Sequence, residues 1–276
     1  MRGLRGINVK KTVILGVSHK MYFGWQQTLD WCSEVASALP PGSESTGLEL
    51  FTLPMTPALS IAIKTFAGTP MGVGAQNMSE EPPGAWTGET SASFLEEMGC
   101  RYIELGHAER RRHFGETVET IVRKLKLALI HHLTPVICIG ELEQVSAQRA
   151  AHIAIAQSQE LLNTLGKPLE SPIILAWEPQ WAIGASAPAS DGYIREVCST
   201  LRRHLQQQYD MQVRVIYGGS AGPGLLSRLW PDVDGLFLGR FAHQPSAFSA
   251  ILDEALAITA SGMPSSCHPA NSLKHS

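Results

Sequence analysis

Glu178 stands at the end of an apolar run. The stretch 171–177 reads SPIILAW, and the chain then continues Glu178-Pro179-Gln180-Trp181-Ala182-Ile183-Gly184. A carboxylate in apolar surroundings is costly unless it is paired or used, so its placement points to proton chemistry. Other reactive residues occupy equivalent places. Ser18, His19 and Lys20 follow the run TVILGV, and His107 and Glu109 follow RYIELG. The stretch Tyr217-Gly218-Gly219-Ser220 and the pair Gly239-Arg240 each close a further run. A lysine supplies positive charge, a histidine can donate or accept a proton, and Gly-rich turns can offer backbone N–H groups to phosphate.

Each of these alone has an ordinary explanation. A lysine after a strand is usually a solvated end, a lone histidine is often a satisfied core group, and GGS may be a turn only. Their shared position is what carries weight, and it depends on the elements beneath them. Eight short apolar runs recur at 12–17, 48–53, 71–76, 101–106, 135–140, 172–177, 213–218 and 235–240. Each has the length of a strand buried on both faces. Helical spacing fills the segments between. Ile121, Leu125, Ala128 and Leu129 share one face, as do Phe248, Ile251, Leu252, Ala255 and Leu256.

Strand followed by helix, repeated in this way, predicts a single-domain (β/α)8 barrel over 12–258. A short arm, 1–11, precedes it, and the polar, Pro/Ser-rich segment 259–276 reads as a disordered tail. A doubly wound open sheet is the alternative, but the first strand leads into GVSHKMYFG and not into a Gly-rich dinucleotide turn. In a barrel the strand C-termini form the active rim, so the lysine, the histidine, both glutamates and both Gly-rich turns meet there.

Composition narrows the class further. The 276 residues are 44% hydrophobic and only 17% charged, which leaves apolar surface for a partner. A formal net charge of −3 gives no general attraction to nucleic acid. The basic segment 109–116, ERRRHFGE, has flanking acids and no aromatic interleaving, so it reads as a salt-bridge cluster. His131-His132 falls at a helix end, where cations suit the dipole, and needs no metal. The five cysteines are scattered without a C-x-x-C pair, which fits a reduced cytoplasm. Cys138 reads as a small apolar core residue. No stretch has the length of a membrane span.

The motifs ELGHAERRRHFGET, AWEPQWAIG, VICIGE, GAQN with WTGE, and YGGS resemble the triosephosphate isomerase family from about residue 12 to 257. That resemblance implies Glu178 as the general base and His107 as a neutral imidazole donating to the substrate carbonyl oxygens. Lys20 offsets phosphate and enediolate charge, and Glu109 orients the lysine or the histidine region. Gly184, Ser220 and Gly239 lend N–H groups to the phosphate. Pro179, Trp181 and Ile183 form a lid, with Tyr217 and Ser220 as its latch. It implies no metal and no organic cofactor. It also implies a homodimer in which Thr87, on the loop GAWTGE, reaches the neighbouring subunit's site.

Several positions depart from the family pattern. Ser18 stands where the family carries an asparagine, and Gly239 is followed by Arg240 where a second glycine is usual. The lid hinge reads Gly184-Ala185-Ser186-Ala187-Pro188, and Ala108 replaces a serine. The Ser18–Lys20 and Gly239–Arg240 combination resembles the branch that interconverts L-erythrulose 1-phosphate and D-erythrulose 4-phosphate. An ordinary triosephosphate isomerase with drifted positions is the second expectation, and a catalytically idle barrel the third. Lys20, His107 and Glu178 are all present, which counts against idleness. An aldolase would need a Schiff-base lysine late in the barrel, and the late strands contain none.

Overall fold

The computed structural model describes residues 12–41, 47–165, 172–209 and 213–261. Eight parallel strands close into a barrel in chain order. They are β1 (Val13–Ser18), β2 (Leu48–Leu53), β3 (Met71–Ala75), β4 (Tyr102–Leu105), β5 (Thr134–Ile139), β6 (Ile173–Trp177), β7 (Val213–Tyr217) and β8 (Gly235–Leu238). β1 pairs with both β2 and β8, which excludes the open sheet. The strands fall on the eight expected runs.

Helices α1 (Trp25–Ala38), α2 (Leu59–Thr65), α3 (Ala92–Met98), α4 (Ala108–Phe114), α5 (Val118–Ile130), α6 (Ala147–Leu162), α7 (Asp191–Tyr209) and α8 (Leu225–Leu229) lie between strands, and α9 (Pro245–Ser261) follows β8. Local chemistry sets several of their starts. Ser91, Thr117 and Ser146 each accept, through the side chain, an N–H from the first turn of α3, α5 and α6. α3 stops at Gly99, whose φ of 95° suits a residue without Cβ.

Successive strand residues point to opposite faces, which divides the core in two. Val13, Leu15 and Val17 face outward beneath the helices. Ile14, Phe51, Tyr102, Ile174, Ile216 and Phe237 fill the barrel axis. Aromatic rings need space there, and glycines provide it. A Cβ on Gly16 would lie 2.1 Å from Phe51, and one on Gly72 would lie 2.4 Å from Tyr102. Phe51 and Tyr102 stack at 4.7 Å.

α9 runs to Ser261, past the expected end of the barrel at 258. Thr259 is buried and its hydroxyl donates to the Leu256 carbonyl at 2.9 Å, which extends the last turn. The arm 1–11 and residues 262–276 of the tail lie outside the described residues. Cys32, Cys100, Cys138 and Cys198 are free and buried; Cys267 lies outside. Among the described residues no helix is long and apolar enough to cross a membrane.

Candidate active site

The strand C-termini gather the predicted residues around a cavity of about 300 Å³. Ser18, Lys20, Glu109, Glu178, Ile183, Gly184, Ser220, Gly239 and Arg240 line it. His107, on the turn after β4, stands beside the lining residue Glu178. Gly106, with φ of 71°, makes that turn, and His107 then caps α4. Its Nδ1 accepts the Glu109 backbone N–H at 3.1 Å. Only a ring nitrogen without a proton can do so, and the proton of the neutral ring then sits on Nε2. Nε2 lies 3.6 Å from Glu178 Oε2, and both atoms are buried without a hydrogen-bond partner among the described residues.

Glu178 is positioned by backbone. Its N–H donates to the Ile139 carbonyl at 2.7 Å. Two glycines let the chain come this close. A Cβ on Gly140 would fall 2.1 Å from the Glu178 carbonyl oxygen, and one on Gly218 would fall 2.5 Å from Glu178 Cγ. The residue is 6% exposed, with its Oε2 atom buried.

Lys20 adopts a φ of 48°, a left-handed conformation unusual for a residue with a side chain. Gln76 steadies it by donating from Nε2 to the carbonyls of Lys20 and Leu53, at 3.0 and 2.9 Å. Lys20 Nζ bonds Glu109 Oε1 at 2.7 Å. Burial opposes the lysine's charge, but the bond to Glu109 and the charges of Glu178, Glu109 and Glu104 outweigh it and raise its pKa. Burial likewise works against the Glu109 carboxylate, and the lysine bond and charge overcome it to lower its pKa. The pair therefore keeps a fixed positive and negative charge beside His107.

The opposite side of the cavity suits an anion. The backbone N–H groups of Gly184, Ser220 and Gly239 donate to no backbone acceptor among the described residues. Gly184 and Ser220 have φ of 71° and 47°, which turns the chain sharply at both. Arg240 Nη2 donates to the Gly184 carbonyl at 3.0 Å, tying the turn after β8 to the loop after β6. That loop is also held by Tyr217, whose hydroxyl accepts the Ala189 N–H at 3.1 Å, and by Ser220 Oγ, within 2.8 and 2.9 Å of the Ala182 and Ala185 carbonyls. Pro179 opens the short 3-10 turn Gln180–Ala182.

Trp181 and Ile183, both expected to close over the substrate, turn to different sides here. Ile183 does line the cavity, whereas the Trp181 indole turns outward to Glu141, donating to Oε1 at 2.9 Å. Trp177 Nε1 and the Tyr193 hydroxyl donate to the same carboxylate at 3.1 and 2.9 Å. Glu141 thus anchors the loop, and the sequence reading gave it no role. It sits directly after the run PVICIG, the same kind of position that drew attention to Glu178.

Glu104 is a second omission. It lies inside the barrel on β4, 4% exposed, and Ser18 Oγ donates to its Oε2 at 3.1 Å. The signal was a charged residue within the apolar run RYIELG. His19 does not line the cavity. It packs behind β1 against Phe23 and Trp31, each ring 4.5 Å away, with Nε2 3.0 Å from Thr52 Oγ1. Burial, aided by His243, lowers its pKa to about 3, so it stays neutral.

The basic segment resolves in part into structural contacts, while Glu109, Arg112 and His113 line the cavity. Arg111 Nε donates to the Gly106 carbonyl at 2.9 Å, Arg110 pairs with Glu116 and lies over the Phe114 ring, and Lys124 bonds Glu116. His131 Nδ1 lies 2.8 Å from Glu96 Oε2. Thr87 is exposed on its loop, next to an exposed Trp86.

A buried carboxylate facing an imidazole N–H, with an ammonium beside them and an anion cradle opposite, suits an enzyme that moves a proton between adjacent carbons of a phosphorylated molecule. Comparison with known proteins gives that class its family. The profile of the family described as triosephosphate isomerase matches residues 13–255. The chain belongs to the triosephosphate isomerase family and is a sugar-phosphate isomerase of it. It is 51% identical over 254 residues, 90% of this chain and 98% of the relative, to an L-erythrulose-1-phosphate isomerase of Pectobacterium atrosepticum. A second protein of that name, from Rhizobium etli, is 37% identical over 87% of this chain and 91% of its own. A triosephosphate isomerase of Symbiobacterium thermophilum is 37% identical over 79% of this chain and 88% of its own.

Proposed function

We propose that the protein interconverts L-erythrulose 1-phosphate and D-erythrulose 4-phosphate through an enediolate. The observation that carries the chemistry is the unpartnered pair His107 Nε2 and Glu178 Oε2, 3.6 Å apart at the cavity. Glu178 takes the proton from the carbon beside the ketone. The electrons of that C–H bond move onto the carbonyl oxygen, where His107 Nε2–H and Lys20 stabilise the negative charge. The proton returns to the former carbonyl carbon, the hydroxyl proton of the neighbouring carbon passes by way of His107 to the former carbonyl oxygen, and the ketone now stands one carbon along. Gly184, Ser220 and Gly239 hold the phosphate through backbone N–H groups, with Arg240 beside them. The loop from Pro179 to Gly184 covers the site, with Ile183 as its inner face. Closure excludes water and limits loss of phosphate from the enediolate. The transfer uses side chains only and needs no cofactor.

The four-carbon substrate differs from triose phosphate by a hydroxymethyl group on the reacting carbon. Ser18 supports it, since a serine leaves more room than an asparagine and adds a hydroxyl at the cavity wall. The 51% identity to a protein named for this substrate points the same way. A triosephosphate isomerase proper is the second reading, favoured by relatives such as the 37% identical enzyme of that name. The test is a paired steady-state assay on L-erythrulose 1-phosphate and glyceraldehyde 3-phosphate, with Glu178→Gln as a control for contaminating isomerase. A higher kcat/KM for the triose overturns the four-carbon reading.

The exposed loop carrying Trp86 and Thr87, together with exposed Phe114 and Met21, supports a homodimer in which Thr87 meets the neighbouring subunit. Sedimentation that gives a monomer at assay concentration overturns that assembly.

A further inference from the structure

The proton transfer above leaves Glu104 without a task. Its contact with Ser18 joins β4 to β1, strands that are not neighbours in the sheet, so the bond crosses the barrel interior. Its other oxygen, Oε1, lies 3.9 Å from Cys138 Sγ on β5. Ser18 lines the cavity and has one hydroxyl proton. Directed at Glu104, that proton is unavailable to a ligand, and the serine oxygen presents only lone pairs. An untethered serine would rotate and donate as readily as accept.

We propose that Glu104 is a positioning residue which fixes the Ser18 hydroxyl as an acceptor for a hydroxyl of the sugar phosphate. The inference rests on the four-carbon reading for which hydroxyl that is: the one on the extra hydroxymethyl group. A carboxamide at residue 18 would offer a donor as well as an acceptor. A serine held in this way reads the ligand for an O–H.

The state of Glu104 fits this role. Burial raises its pKa most, and the negative charge of Glu178, just after β6, raises it further; His107, Lys20 and the Ser18 bond act in the other direction. Cys138 remains a thiol because burial raises its own pKa. Oε2 accepts from Ser18, and Oε1 is the acceptor facing the Cys138 thiol. Glutamine keeps an acceptor oxygen for Ser18, and leucine keeps none.

The test is a mutant cycle of Ser18→Ala, Glu104→Leu and the double variant, with Glu104→Gln and thermal unfolding of each. On the tetrulose phosphate each single variant is expected to lose about 10- to 100-fold in kcat/KM, the value of one buried hydrogen bond. The double variant loses no more than the worse single, because both remove the same contact. Glu104→Gln recovers most of what Glu104→Leu loses, and the triose phosphate loses less than the tetrulose in every variant. Additive losses, or equal losses on both substrates with lowered melting temperature, overturn the proposal and leave Glu104 a packing residue. Should Glu104→Leu not fold, infrared difference spectra decide. The carboxyl or carboxylate band removed by Glu104→Gln must shift in Ser18→Ala, and an unmoved band overturns the coupling. The wild-type preference alone tests the four-carbon reading. The cycle, run on whichever substrate the wild type prefers, tests the Ser18–Glu104 couple.

Discussion

His107 Nε2 and Glu178 Oε2 face each other across 3.6 Å, and neither has another hydrogen-bond partner among the described residues. The gap is too long for a good hydrogen bond. Burying a donor and an acceptor this way costs stability, so the pair is held open by the backbone on either side, at the α4 cap and between Gly140 and Gly218. Glu178→Gln keeps the shape and removes the base. The expected result is a fall in kcat of about 10²- to 10⁴-fold, with the affinity for inorganic phosphate little changed. A kcat within tenfold of wild type would show that Glu178 is not the base.

Gly218 sets the position of that base. Gly218→Ala puts a methyl group 2.5 Å from Glu178 Cγ and 2.7 Å from Oε1, so the carboxylate must move. A misplacement of about 1 Å can cost on the order of 10²-fold in rate. The expected signature is a lowered kcat with a folded barrel by circular dichroism. Unchanged kinetics would mean the carboxylate has room to shift and return.

The Lys20–Glu109 pair makes a prediction in pH. The Lys20 pKa is raised above its ordinary 10.5, so its contribution to stability is complete below 10.5 and is lost as pH rises through the folded value. The Glu109 pKa is lowered below 4.5, so its contribution is complete above 4.5 and is lost as pH falls through the folded value. Glu109→Gln removes the bond that holds Lys20 charged. The alkaline limb of the kcat/KM profile is expected to move to lower pH, and an unmoved limb would separate Lys20 ionisation from activity.

Glu141 ties down the loop through three donors, the indoles of Trp177 and Trp181 and the Tyr193 hydroxyl. Glu141→Leu leaves all three without their acceptor. Unfolding stability is expected to fall by roughly 3 kcal/mol or more, since bonds to a charged group contribute most. Tryptophan fluorescence reports the release of Trp181, and kcat should fall along with it. A loss of stability with full kcat would limit Glu141 to a structural role.

The fold was legible because each strand of a closed parallel barrel is buried on both sides and so reads as an unbroken apolar run. The rim was legible because chemistry sits where those runs end. Ser18, Lys20, His107, Glu109 and Glu178 all follow from that rule. It failed for Glu104, which lies within its run, since inward and outward positions cannot be told apart where both are apolar. It failed for Trp181 because direction within a loop is set by a partner, Glu141, that is 40 positions away in the chain. His19, adjacent to Lys20, shows the same limit. Both follow β1, and with Lys20 in a left-handed turn one side chain joins the rim and the other the packing beneath α1.

The seam between β1 and β8 has a further consequence. Ile14 lies against Gly235 there, and a Cβ on Gly235 would fall 1.8 Å from the Ile14 carbonyl oxygen. Two backbones meet where no side chain fits, so the circle is joined by its earliest and latest strands. Ser18 and Lys20 leave the ribosome near the start of synthesis, and Gly239 and Arg240 only after β8. The first-made and last-made residues of the cavity wall therefore meet only when β8 is in place, so the rim is completed by the last strand synthesised.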